Sequence, residues 1–252
     1  MTQLTTFTIA LSLIFLSFAA NSMAQDGDME PEETEVWEPV PEKITPGSSY
    51  GDPPSDAIVL FDGSGFSNWE HPDGSDVKWK LEDGAMTVNP GTGGIQTKQD
   101  FGSVQLHIEW RAPEPSGEGQ DRGNSGVFLQ DRYEVQVLDS YNNKTYSNGM
   151  AGSIYKQHIP AVNAAKAPGE WQTYDIMFEA PEFNDDGSVA KPAYLTVFWN
   201  GIMVHNKAEL KGPTVYIGHP EYEAYEGGAP LALQDHSHTV SFRNIWVREL
   251  DQ

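Results

Sequence analysis

Three observations predict an all-β fold, a sandwich or jelly roll. From residue 57 onward, short runs rich in β-branched and aromatic residues are separated by turn clusters at fairly regular intervals. No long helical period interrupts them. The turns carry matching chemistry, since Asp62-Gly63, Asp83-Gly84, Asp186-Gly187 and Asn200-Gly201 are dipeptides that accept positive φ. The 252-residue chain is long enough for one sizeable core, and an aromatic content of 11% supplies large pieces to bury in it.

From the N-terminus, the first 24 residues hold no charged side chain and run apolar from Ile9 to Ala20. They end in Ser22-Met23-Ala24, a small-x-small pattern that suits signal peptidase. The expectation is an exported protein, secreted or periplasmic, cleaved after Ala24. The apolar run is shorter than the roughly 20 residues a spanning helix needs, so the mature chain is not expected to insert into a membrane. Residues 25–55 form an acidic, proline-rich linker: Asp26, Asp28, Glu30, Glu32, Glu33, Glu35, Glu38 and Glu42 mix with six prolines between Pro31 and Pro54. Such a stretch buries too little apolar surface to offset its ordering entropy and reads as a solvated tether. The sandwich domain is assigned to residues 56–250.

Candidate strands within it are 58–61, 79–82, 85–88, 104–111, 125–130, 133–138, 171–179, 194–199, 202–205 and 240–249. Asn200-Gly201 reads as a tight hairpin turn. In the last strand the apolar positions change face near Arg243-Asn244, as at a bulge. Two long polar excursions remain, 140–169 with Tyr155, His158 and Asn163, and 218–235 with His219, Tyr222, Tyr225 and several glutamates. Loops of this length in compact domains are usually functional or disordered.

The formal charge of −22 argues against nucleic acid and anionic lipid as partners and leaves neutral or cationic ligands, here a small-molecule or oligosaccharide substrate. With no cysteine there is neither a disulfide nor a thiolate metal site.

The candidate site starts in 133–137. The two-residue period sends Tyr133, Val135 and Val137 to one face and Glu134 and Gln136 to the other. In 106–111 the apolar Leu106, Ile108 and Trp110 alternate with His107, Glu109 and Arg111. Two such strands could lay down one polar floor able to abstract, donate and orient protons. The plainer reading is a solvated outer face, with Glu134 in a salt bridge to Arg111.

Several spaced motifs then stand together: Leu60-Phe61-Asp62-Gly63, Trp69, Trp79, Gly123-Asn124-Ser125-Gly126-Val127, Tyr133-Glu134-Val135-Gln136-Val137-Leu138-Asp139, Gly169-Glu170-Trp171, Leu233-Gln234-Asp235-His236 and Val240-Ser241-Phe242-Arg243-Asn244-Ile245. In this order they resemble the 3-keto-disaccharide hydrolase family, over about residues 56 to 250. The resemblance implies a concanavalin A-like two-sheet jelly roll, export, and action on glycosides already oxidised to a ketone at C3. A C3 ketone acidifies the C2 hydrogen, and the enolate left by its removal can expel the C1 oxygen. Water addition then completes a net hydrolysis; without it the enzyme is a lyase. Glu134 is the expected base, Arg111 or His236 the enolate stabiliser, and Asp139 or His236 the acid at the leaving oxygen. Glu109, Asn124, Gln136, Tyr155, His158 and Gln234 are the expected sugar contacts, although Asn124 reads as well as a turn residue tying off backbone donors. No cofactor is identified beyond a divalent ion, which stays an open question. A divalent ion would suit the enediolate, with His236, His238 and Asp235 as ligands, but no HxxxH or HExxH spacing supports it. Against the family pattern, Gln172 stands for a usual Asn and Ser237 for a usual Gly. The competing reading is a non-catalytic, lectin-like carbohydrate-binding module. Convergence of Glu134, Arg111 and His236 in one pocket favours the enzyme, and their separation the binder.

Overall fold

The structure, a computed structural model, describes residues 29–250. The leader assigned to residues 1–24 lies outside them, and no helix among the described residues is long and apolar enough to cross a membrane. The chain divides into two units, 1–43 and 44–252. In the first, residues 29–43 are exposed and carry one short 3-10 turn, Pro31–Thr34.

The second unit is built from strands, in chain order β1 (Ile58–Phe61), β2 (Trp69–Glu70), β3 (Lys80–Glu82), β4 (Ala85–Thr87), β5 (Ile95–Phe101), β6 (Val104–Arg111), β7 (Ser125–Leu129), β8 (Tyr133–Val137), β9 (Gln172–Glu179), β10 (Glu182–Phe183), β11 (Val189–Lys191), β12 (Tyr194–Trp199), β13 (Ile202–Glu209), β14 (Ala229–Leu233) and β15 (Ser241–Glu249). They form an eight-stranded antiparallel sheet in the order β13-β12-β9-β6-β15-β4-β3, with β1 also on β15. A five-stranded sheet, β2-β5-β14-β7-β8, packs against it, and β10-β11 is a separate hairpin. This is the expected jelly-roll sandwich.

Local sequence explains the joints. Asp83-Gly84 and Asn200-Gly201 both sit at positive φ and close the β3-β4 and β12-β13 hairpins. β9 and β12 alternate buried and half-buried residues along their whole length. The expected bulge in β15 is present: the register to β6 shifts between Arg243 and Trp246, and Asn244 takes φ +47. Five strands escaped the pattern: the short β2, β10 and β11, and the longer β5 and β14. β5 runs through exposed Lys98, Gln99 and Asp100, which break its alternation. β14 carries Pro230, tolerated because β7 pairs only with Ala232 and Leu233 and leaves the Pro230 end unpaired on that side.

The core lies between the sheets. Trp110 packs on Tyr174 at 5.3 Å between ring centroids and on Trp199 at 6.5 Å, and Tyr133 packs on Phe178 at 5.4 Å. The Tyr174 hydroxyl donates 2.7 Å across this core to the Gln136 carbonyl and so ties β8 to the larger sheet. Since β6 and β8 turn their apolar faces toward one core, their polar faces point away from each other. The single polar floor expected from both strands is therefore not formed.

Part of the expected tether is also structured. Thr45 N–H donates to Ser55 Oγ, and Gly51 O accepts from Asn244 Nδ2 at 2.9 Å and from Trp246 Nε1 at 2.8 Å. The Tyr50 hydroxyl donates to Asp175, and Arg248 pairs with Asp56. Charge and proline content alone hid these contacts, because their partners lie on β9 and β15, far away in sequence. Beneath the strap, buried His107 bonds Asp175 Oδ1 through Nδ1 at 2.6 Å and stacks on Trp246 at 5.3 Å. Its Nε2 lies 4.0 Å from Glu109 Oε1, too long for a hydrogen bond. Burial works to lower the His107 pKa, but Asp175 and Glu109 outweigh it and hold the imidazole at about 9.

Candidate active site

The site is a cavity of about 500 Å³ on the outer face of β7 and β8. Glu134 and Gln136 form its floor, with Phe128 opposite Glu134 in the strand register. Loops supply the walls: Gln120 and Asn124 before β7, Tyr146 and Tyr155 from the first long excursion, Thr214 and Tyr216 after β13, and Gln234 and His236 after β14. These loops bury what the strand pattern offers to solvent, so that Glu134 is only 4% exposed.

Glu134 is held by its backbone. Its N–H donates to Thr214 Oγ1 at 3.0 Å, and its carbonyl accepts from Tyr155 N–H at 3.1 Å. Its carboxyl makes no hydrogen bond or ion pair among the described residues, and burial alone pushes its pKa up to about 8. Space for this carboxyl comes from Gly126 on the neighbouring strand, where a Cβ would sit 2.5 Å from Glu134 Oε1 and 2.7 Å from a Phe128 ring carbon. Only glycine leaves that corner open.

A chain of amides braces the floor. Gln136 Nε2 donates to Asn124 Oδ1 at 2.9 Å, Asn124 Nδ2 donates to the Gln120 carbonyl at 2.9 Å, and Gln120 Nε2 donates to Thr145 Oγ1 and Gly149 O. With Gln136 Nε2 spent inside the protein, the group it can offer a ligand is the carbonyl oxygen Oε1. On the opposite wall the Tyr146 and Tyr155 hydroxyls lie 2.7 Å apart. Burial, with that hydrogen bond, raises Tyr155 above its usual range.

Of the residues expected from sequence, Glu134, Gln136, Asn124, Tyr155, Gln234 and His236 thus line one cavity. The others lie elsewhere. Arg111 belongs to the other sheet, where its guanidinium stacks 4.7 Å from the Trp171 ring centre, so neither the expected enolate contact nor the alternative Glu134–Arg111 salt bridge is formed. Glu109, on the same outer face, accepts from Arg243 Nε at 2.6 Å and Asn244 Nδ2 at 3.0 Å. Asp139 is buried in an ion pair with Arg122 at 2.6 Å and caps Tyr141 N–H, which fixes the base of the following loop. His158 meets the Glu209 carbonyl at 2.7 Å through Nε2, outside the cavity wall. Strand alternation could not have separated Arg111 and Glu109 from the site, because it reports a face and not which sheet the face belongs to.

Asp235 and His238, two of the expected metal ligands, are engaged within the protein, although His238 Nδ1 is buried without a partner. Asp235 spends Oδ2 on Gly91 and Gly93 N–H and Oδ1 on Ser237 N–H, and His238 bonds Asp121 through Nε2. His236 and His238 lie ring on ring at 6.1 Å and 7° rather than turning their nitrogens to a common point. Among the described residues, no three His, Cys, Asp or Glu side chains gather as a metal site would require.

Residues that sequence reasoning missed are Gln120, Phe128, Tyr146, Thr214 and Tyr216. Aromatic residues in long loops were the available signal for Tyr146. The chain from Lys211 to Tyr216 gave none.

A family model described as a 3-keto-α-glucoside-1,2-lyase-like domain matches residues 56–248. A Bacteroides thetaiotaomicron protein named 3-keto-disaccharide hydrolase is 29% identical over 237 residues, covering 77% of this chain and 78% of its own. A crystal structure of a candidate glycosyl hydrolase from Parabacteroides distasonis is 50% identical with a TM-score of 0.85, covering 89% of this chain and 98% of its own. A second one from that organism, 22% identical with a TM-score of 0.58 over 78% of this chain and 94% of its own, shares the fold.

Proposed function

The chain belongs to the 3-keto-α-glucoside-1,2-lyase-like family, and on that premise we propose that it cleaves 3-keto-glycosides by elimination, with Glu134 as the base. The observation that carries this reading is the Glu134 carboxyl, buried without a partner at the floor of a cavity large enough for a sugar ring. Of the three residues whose convergence would mark an enzyme, Glu134 and His236 share the cavity and Arg111 does not, so the weight rests on Glu134, whose burial without a partner is costly. A base gains by it, because a pKa of about 8 lies near the working pH and makes the carboxylate a stronger proton acceptor.

Chemistry follows from the substrate. Glu134 takes the proton from C2, and the electron pair of that C–H bond moves into a C2–C3 enolate stabilised by the ketone oxygen. Collapse of the enolate restores the ketone, forms a C1–C2 double bond and breaks the C1–O bond. The leaving oxygen needs a proton, and His236, on the cavity wall, is the group assigned to give it. Asn124 and Gln136 orient hydroxyls, and Tyr155 and Gln234 border the ring. Water addition at C1 then gives a net hydrolysis, and its absence gives a lyase. A well-placed base contributes about 10² to 10⁴ in rate.

The test is turnover of a chromogenic 3-keto-glucoside beside its unoxidised parent, with wild type and Glu134→Gln, with and without a chelator. Release from the keto compound alone, lost in the variant and rising with pH toward a midpoint near 8, supports the proposal. Equal turnover by the variant removes Glu134 from the chemistry. Glycan binding with no turnover of either substrate favours the lectin-like module. The same reading takes the protein as exported with its leader removed after Ala24, which N-terminal mass spectrometry of the protein recovered from its host checks directly.

A further inference from the structure

Beside the main cavity, and sharing Tyr155 with it, lies a smaller pocket of about 80 Å³ lined by Lys156, Gln157, Lys211, Val215 and His219 among others. It is far too small for a sugar ring and suits one substituent. Its walls are fixed. Gln157 Nε2 donates to the Gly212 carbonyl at 2.9 Å and its Oε1 accepts from Lys211 N–H at 2.8 Å, so one side chain joins the two loops that carry the lysines. Gly212, at φ +135, has no room for a Cβ beside the Glu221 backbone.

Lys156 is placed at a cost. It takes φ +59, a left-handed conformation that a long unbranched side chain seldom adopts, and its N–H donates to the Asn148 carbonyl at 2.7 Å. That backbone sends its ammonium group over Tyr216, 4.2 Å from the ring centre, and to within 6 Å of the Tyr155 and Tyr146 rings, at 5.7 and 5.9 Å. All three rings line the main cavity. The chain carries 37 acidic residues against 15 basic ones, and Lys191 and Lys207 are drawn into ion pairs with Glu179. Neither Lys156 nor Lys211 has a carboxylate within ion-pair distance among the described residues.

We propose that this pocket is an anion subsite, so that the preferred substrate is a glycoside whose leaving group bears a carboxylate or sulfate bound between Lys156 and Lys211. The proposal rests on the elimination reading for the reaction but not for the binding. Lys156 Nζ donates to the Tyr216 carbonyl at 2.5 Å, a neutral partner that leaves its charge uncompensated. The negative field of the whole chain repels anions, and two lysines without a carboxylate partner beside the cavity reverse that locally. The neutral Glu134 expected at pH 7 adds no repulsion to an incoming anion.

Two 3-keto-glucosides that differ only in a neutral or a carboxylated aryl leaving group test it, together with the corresponding unoxidised glucosides as binding probes in calorimetry. The wild type is expected to favour the carboxylated compound in kcat/KM and in affinity, with a preference that shrinks as salt is raised. In Lys211→Gln, and further in Lys156→Gln/Lys211→Gln, the ratio of the two substrates falls about tenfold or more. No preference in the wild type, or a preference the double variant retains, overturns the subsite. If neither keto compound is cleaved but the carboxylated glucoside still binds better and loses this advantage in the variants, the subsite stands and the elimination reading fails.

Discussion

Glu134→Gln is an experiment on folding as much as on turnover. The amide keeps the shape of the protonated acid and removes the charge, so wild type and variant differ only where the wild-type carboxyl would ionise. Its folded pKa of about 8 lies above the ordinary 4.5. The folded wild type therefore holds more protons than the unfolded chain between these values, and its stability falls as pH rises from about 4.5 to 8. At about 1.4 kcal/mol for each pKa unit, the wild type should be less stable than the variant by about 1 kcal/mol at pH 5, about 3 at pH 6.5 and about 4 at pH 8. Urea denaturation of both proteins at these three pH values measures the difference. The titration of His107 is common to both and cancels. A gap that stays constant from pH 5 to 8 would mean that the Glu134 carboxyl ionises normally in the fold, and the argument for a base tuned by burial would fall with it.

Further perturbations separate the other parts of the argument. Gly126→Ala puts a Cβ 2.5 Å from Glu134 Oε1; kcat/KM on a 3-keto-glucoside should drop about 10- to 100-fold, as a displaced catalytic group implies, while the sheet survives in circular dichroism. Arg111→Ala, on the far sheet, should leave that kcat/KM within about twofold. Asp175→Asn removes the partner of a buried imidazolium and should cost about 3 to 5 kcal/mol in urea denaturation at pH 7. Because the His107 pKa is raised in the fold, its contribution is present below about 6.5 and is lost as pH climbs through about 9, and the variant should lack that alkaline decline. Starting the protein at residue 57 instead of 44 strips Tyr50, Gly51 and Asp56 from β9 and β15, and a Tm lower by about 10 °C in calorimetry is expected.

How much of this was legible depended on whether the signal was local. Turns such as Asn200-Gly201 and strands such as β6, β8, β9 and β12 were readable because φ preference and alternation are properties of a few adjacent residues. β14 was hidden by Pro230, whose tolerance depends on where β7 stops, a tertiary fact. The bulge at Asn244 was readable as a slip of face, and Ser237 at φ +64 explains why a glycine suits that place. The cavity floor of Glu134 and Gln136, with Asn124, Gln234 and His236, could be named from motif and period. The assignment of Arg111 and Glu109 to the same site failed because nothing local says that β6 and β8 face opposite ways, and that of Asp139 because its partner Arg122 lies 17 positions away. What makes Glu134 unusual, its burial by loops from 146–155 and 212–216, depends on contacts with residues tens of positions away and had no sequence signature.

β8 is the edge strand of its sheet, and what covers its outer rim is not another long strand but the short run 152–155, attached through main-chain groups. Gly152 N–H donates to Gln136 O, Gln136 N–H to Ser153 O, and Tyr155 N–H to Glu134 O. Such attachment is indifferent to side-chain identity at Tyr155. Mutational drift can thus rewrite what the mouth of the cavity presents while the strand bearing Glu134 keeps its place. The wall of the cavity can therefore change its chemistry at little expense to the scaffold beneath it.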